Sequence, residues 1–137
     1  TPAGFLAGLR GNLLGTVSQS GGVPTGAVIE RGSNANGEYV KFADGTLICL
    51  IRETVTDQAI STAMGSLYTG TRAWTFPAVF VGAPAISASC ARWGTSGTWS
   101  VVWDVFISHA MIRFFELTSR STGTSFLYSA LAIGRWF

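Results

Sequence analysis

Charge is scarce in this sequence. Charged residues fill 12% of its 137 positions, about half of the ~25% usual in a soluble domain. There is one histidine, His109, and there are two cysteines, Cys49 and Cys90. That set cannot complete a tetrahedral zinc site within one chain, so neither a metal nor a cofactor is expected. No G-x-S-x-G nucleophile motif is present. His109 reads as a polar residue at a strand break rather than a general base, which would need an activated partner and an orienting acid. A glycosidase needs two carboxylates about 5–10 Å apart. Among Glu30, Glu38, Asp44, Glu53, Asp57, Asp104 and Glu116, only Asp104 and Glu116 are placed to meet across adjacent strands. Solvated or arginine-paired acids on an outer face explain them better, and the chain is read as no enzyme.

Basic runs are absent too. Of nine basic residues, eight are arginines scattered singly. Nucleic acid binding shows a clustered basic footprint, so no nucleic acid partner is expected. Arginine in place of lysine suits partly dry interfaces. The longest charge-free apolar stretch, Ala73 to Ala91, is broken by Pro77, Gly82 and Pro84. It makes a poor membrane helix, and no membrane insertion is expected. A Cys49–Cys90 disulfide would need close Cα atoms; two separate buried thiols are the expected state. No secretory signal is read, and Thr1 is expected of a piece of a longer chain.

What is abundant is apolar and aromatic: five tryptophans, nine phenylalanines, and 47% hydrophobic residues beside seventeen glycines. With so few charges, this predicts extensive burial between subunits, and a homotrimer is expected. The stretch Gly37 to Ile51, GEYVKFADGTLICLI, reads as a β-hairpin. Asp44-Gly45 favours a two-residue type I′ turn, which would pair Phe42 with Leu47, Val40 with Cys49 and Tyr39 with Leu50. Alternation then places Val40, Phe42, Leu47, Cys49 and Ile51 on a core face. Tyr39, Lys41, Thr46, Ile48 and Leu50 form a second, mixed face that invites a partner.

Elsewhere, residues 1–36 read as a lead-in contacting neighbouring subunits, and 37–137 as a head. Phe5, Leu9 and Leu13 give a short helix-like stripe weakened by glycines. Val17 to Gly37 reads as extended linker with a brief strand at Ala27 to Glu30. Arg52 to Gly70 reads as a strand end and a long loop. Trp74 to Phe76 is a short strand stopped by Pro77, and Ala85 to Ala91 is another. Thr98 to Ser108 is the clearest strand, with Trp99, Val101, Trp103, Val105 and Ile107 on one face. Met111 to Thr118 follows. Phe126 to Phe137 is apolar on both faces and so covered on both. The class is all-β: a small antiparallel β-sandwich with an extended N-terminal lead-in.

Aromatic rings in Gly/Ser loops offer flat apolar faces for sugar C–H groups, while Arg, Asp and Asn bond hydroxyls. Arg92-Trp93, inside a glycine-rich loop, is the first candidate site; Tyr68 with Arg72 is the second. Trp93 packed onto the sheet rim is the structural alternative.

The segment GNLLGTVSQSGGVPTGAVIERGSNANGEYVKFADGTLIC resembles the entry into the distal domain of phage tail-fibre and spike proteins. The likeness extends to particles of the gene-transfer-agent kind from α-proteobacteria. ERGSNANGEYVKFADGT is its most specific part, and the Trp74 to Pro77 block and the Ile133 to Phe137 ending also match. The resemblance implies a parallel homotrimer of β-sandwiches, some like H-type lectins. It implies a virion, extracellular location and a receptor-binding role: recognising bacterial surface polysaccharide without cleaving it. A structural virion module docking on other virion proteins is the alternative.

Overall fold

The computed structural model describes residues 2–3, 12–92 and 97–137. Phe5 and Leu9 of the helix-like stripe expected at the start of the chain, and the ring of Trp93, lie outside these residues; Leu13 lies in a turn and its carbonyl accepts the Ile29 N–H. Eleven strands are described: β1 (Gln19–Ser20), β2 (Val23–Pro24), β3 (Ile29–Asn34), β4 (Gly37–Phe42), β5 (Thr46–Val55), β6 (Thr62–Met64), β7 (Leu67–Thr75), β8 (Ala85–Arg92), β9 (Thr98–Val105), β10 (His109–Glu116) and β11 (Phe126–Arg135). One sheet runs β3-β4-β5-β11-β8, a second runs β6-β7-β10-β9, and β1-β2 is a small separate ribbon. All strand pairs are antiparallel.

The inward residues of both sheets meet in one core. β5 contributes Leu47, Cys49 and Ile51, and β11 contributes Phe126, Tyr128, Ala130 and Ala132. Trp74 of β7 and Ala110, Ile112 and Phe114 of β10 face them. Phe114 meets Phe126 edge-on at 4.7 Å between ring centres. Burying such a side chain contributes roughly 1.5–3 kcal/mol.

The hairpin exists, but its register differs from the expected one. Tyr39 pairs with Cys49, Val40 with Ile48 and Lys41 with Leu47. The loop therefore holds three residues, Ala43, Asp44 and Gly45. Only Gly45 takes positive φ, at 96°; no non-glycine residue does. Asp44 instead stays right-handed, and its Oδ1 accepts the Thr46 N–H at 2.9 Å. Gly45 N–H donates to Phe42 O at 3.0 Å. This is a type I turn closed by a glycine bulge rather than type I′. The one-residue slip exchanges the faces of β4. Tyr39 packs on the core, while Val40 and Phe42 join Ile48 and Ile29 on the outer face.

Two stretches expected to be mostly loop hold more strand, and the brief strand expected at Ala27 to Glu30 overlaps the start of β3. The glycine-rich linker contains β3, an edge strand paired along all of β4. The long loop contains β6 and the first four residues of β7, whose last residues begin the expected Trp74 strand. Gly70 lets the 58–60 segment cross β7, because a Cβ there would meet Ala59 O and Gln58 Nε2. The Phe126 strand lies between β5 and β8 as an inner strand. Its outer face is nevertheless open in the single chain: Leu131 is 41% and Ile133 45% exposed. Asp104 and Glu116 do not meet. Asp104 pairs with Met111 and Glu116 with Thr98, at opposite ends of β10.

Gly45 generates a stability prediction. A Cβ there would strike the Arg135 guanidinium, on a backbone that L-residues rarely adopt. Gly45→Val should cost about 1–3 kcal/mol. Thermal melts of the two proteins check this; an equal midpoint would show the turn tolerates a side chain.

Candidate functional site

The facing strands β5 and β7 bring an acid and a base together between the sheets. Glu53 sits at an inward position of β5, directly opposite Tyr128 of β11. Arg72 sits inward on β7. Tyr128 Oη donates to Glu53 Oε1 at 2.6 Å, and Arg72 Nη2 donates to the same oxygen at 3.3 Å. Arg72 Nη1 reaches Asp57 Oδ1 at 3.1 Å. The guanidinium lies 5.4 Å from the centre of the Tyr128 ring, within cation–π range.

Glu53, Arg72 and Tyr128 line a cleft of about 500 Å³, together with Ala35 and Asn36 of the β3–β4 turn and the 71–75 edge of β7. Trp74 fixes the turn over the cleft by donating its indole N–H to Asn36 O at 2.9 Å. Both large rings of the cleft are turned into the core: Trp74 is 1% exposed and Tyr128 2%. The cleft can therefore recognise a ligand by hydrogen bonds rather than by ring stacking.

The two predicted constellations fare differently. Arg92 ends β8 and pairs with Phe126, which pairs in turn with Val55 at the same end of the sheet. The rest of that loop, with Trp93, lies outside the described residues. Tyr68 and Arg72 share the inward face of β7, but a spacing of four positions along the strand sets them about 13 Å apart. Tyr68 packs against the core cluster, opposite Glu116, and does not join the Arg72 group. Sequence reasoning missed Glu53, Asp57 and Tyr128. One signal was available: an arginine at an inward position needs an inward carboxylate opposite, and Glu53 is the acid at such a position in β5.

A second surface has a different character. Of the five residues expected from alternation to share a face, Trp99, Val101 and Trp103 of β9 share an outer one; a register shift opposite Met111/Ile112 turns Val105 inward, opposite buried Ala110, and Ile107 lies beyond the strand. Trp99 is 41% and Trp103 48% exposed. Trp99 stacks on Phe115 at 5.7 Å, and the Arg113 guanidinium lies 4.2 Å from the Trp103 ring centre. His109 stacks on Phe106 at 4.4 Å and its Nδ1 lies 3.1 Å from Ser108 Oγ, at the turn between β9 and β10.

No protein-family model matches the chain, and no curated protein does. Solved structures do. An N-truncated R1-type pyocin tail fibre matches with a TM-score of 0.53 at 15% identity, over 98% of this chain and 96% of that one. A C-terminal portion of the R1 pyocin fibre of P. aeruginosa matches with a TM-score of 0.53 at 16% identity, over 74% of this chain. The match covers 27% of that longer fibre chain. At these identities the likeness is one of fold.

Tyr128 supplies a pH prediction. Burial, and then its bond to Glu53, push the phenol from its ordinary 10.0 up to about 12. Between these values the unfolded chain has lost this proton and the folded chain keeps it. The contribution is therefore complete below pH 10 and is lost as pH rises through about 12. Spectrophotometric titration should show a tyrosine titrating near 12 that Tyr128→Phe removes; normal titration of all tyrosines would contradict the buried bond.

Proposed function

We propose that this chain is the receptor-binding head of a phage-tail-like fibre or spike, which recognises bacterial surface carbohydrate without cutting it. The observation that carries the reading is the fold match to an N-truncated R1-type pyocin tail fibre, over 98% of this chain and 96% of that one. The resemblance of the Glu30 to Thr46 segment to tail-fibre and spike proteins supports it from the sequence side. In this reading the protein is a β-sandwich of the H-type-lectin kind, carried on a virion outside the host cell. The polar Arg72 cleft and the Arg92-Trp93 loop are its contacts to glycan.

The same reading takes the chain as a parallel homotrimer, with residues 1–36 as a lead-in against neighbouring subunits. Support comes from the outer face of the five-stranded sheet. Val40, Ile48, Leu50, Leu131 and Ile133 lie there side by side through the pairings Ile48–Val40, Leu131–Leu50 and Ile133–Ile48. An apolar patch of this kind on a charge-poor domain favours a protein contact. A second reading, a structural virion module docking on other virion proteins, is favoured by one observation: the exposed Trp99–Trp103 face of β9.

Sedimentation at micromolar concentration should give a threefold mass, and Leu131→Asp with Ile133→Asp should return it to monomer. A wild-type protein that sediments as a stable monomer would remove the trimer. Particle adsorption to host cells tests the contacts. Arg72→Ala and Trp93→Ala should each reduce it at least tenfold with trimer mass and melting point nearly kept. Adsorption lost only by altering Trp99 and Trp103 would favour the docking reading.

A further inference from the structure

The charge balance of the Arg72 cleft narrows what it can hold. Arg72 brings one positive charge, and Glu53 and Asp57 bring two negative ones. Both terminal nitrogens of the guanidinium already donate to carboxylates. A carboxylate or phosphate ligand is bound best by an arginine that offers its free fork bidentately. Here each arm of that fork already holds a carboxylate, and an incoming acid would meet Glu53 and Asp57 as like charges.

Acceptors, by contrast, are in surplus. Glu53 Oε1 takes both the Tyr128 hydroxyl and the Arg72 N–H. Glu53 Oε2 receives no donor from the described residues, and Glu53 lines the cleft. One cleft wall is the edge of β7. Among the described residues β6 covers that edge only at Leu67–Thr69, so residues 71–75 expose uncharged backbone donors and acceptors on that side. Arg52, the next cation along the chain, belongs to the opposite face of β5 by alternation. The one lining cation is already outweighed by the two acids it holds, while a polyhydroxyl ligand can donate to Glu53 and exchange bonds with the β7 edge.

We propose that the Glu53–Arg72–Tyr128 cleft binds an uncharged sugar residue through its hydroxyl groups and discriminates against acidic sugars. The proposal rests on the carbohydrate reading above and specifies its ligand class. Glu53 is the acceptor for sugar hydroxyls. Arg72 is a positioning residue that holds Glu53 and Asp57 in place, and Tyr128 fixes the rotamer of Glu53 from below.

An array of neutral hexose oligosaccharides, with a matched array of hexuronate and sialate oligosaccharides, tests this on the whole protein. The wild type should retain neutral members, with affinity changing less than about twofold between low and high salt, because few ions are released. Glu53→Gln should weaken neutral binding about tenfold and reduce the discrimination against acidic members. A melting curve on the same variant separates loss of binding from loss of fold. Tyr128→Phe is a second variant: it removes only the hydroxyl beneath Glu53 and should weaken neutral binding less. Preferential, salt-sensitive capture of acidic oligosaccharides that Arg72→Lys abolishes would overturn the ligand class while leaving the carbohydrate reading intact. No retention on either array, or retention indifferent to Glu53→Gln at an unchanged melting point, would remove the cleft as a sugar site and take the ligand class with it.

Discussion

The register of the β4–β5 hairpin is the constraint on which much of the structure depends. A strand has a period of two, so one residue of slip exchanges every side chain between core and surface. The loop of Ala43, Asp44 and Gly45 chooses between the two outcomes, and the end of the chain holds that choice. Arg135 donates to Asp44 O at 2.9 Å, Trp136 N–H donates to Gly45 O at 2.9 Å, and the Trp136 indole donates to Phe42 O at 2.8 Å. Lys41 lies 5.6 Å from the centre of the Trp136 ring. With that register, Tyr39 turns inward and donates to Glu30 Oε1 at 3.1 Å. The other oxygen of Glu30 accepts the Val17 N–H at 3.0 Å. The turn thus decides how the preceding segment is tied to the sheet.

Strands whose inner and outer faces differ in polarity were legible in the sequence: β8, β9, β10 and β11 stand close to where alternation puts them. β7 was not, for a reason visible in its inward residues. Tyr68, Gly70, Arg72 and Trp74 break the apolar rhythm because Gly70 gives way to a crossing segment and Arg72 answers Glu53. β3 was masked by the polar composition that an edge strand tolerates. The hairpin was legible as an element but not in register, since Asp44-Gly45 fits both a two-residue and a three-residue loop. Of the site, Arg72 could be read locally. Glu53, Asp57 and Tyr128 could not, because only the pairing of two sheets brings them to it.

The scarcity of charge takes on a sharper meaning in three dimensions. Several of the few charged groups are spent between the layers or at their rims: Glu53 with Arg72, Asp57 with Arg72, and Glu116 with Arg120. Fewer remain for the outer faces than composition alone implies. This is why Leu131 and Ile133 on one sheet, and Trp99 and Trp103 on the other, stand beside so little charge.

Glu116 carries a consequence for how such a domain can diversify. Its carboxylate is fully buried, accepts the Thr98 hydroxyl at 2.6 Å, and holds Arg120 at 3.1 Å. The Arg120 backbone exchanges two bonds of 2.9 Å with Ile60. One carboxylate therefore anchors the start of β9, the β10–β11 connection and the segment before β6. Insertions and exchanges between these anchors leave the clasp untouched, whereas a change at 60, 98, 116 or 120 disturbs three segments together. The domain is in this sense a fixed clasp carrying replaceable spans, and new surfaces can be sampled in the spans without refolding the body.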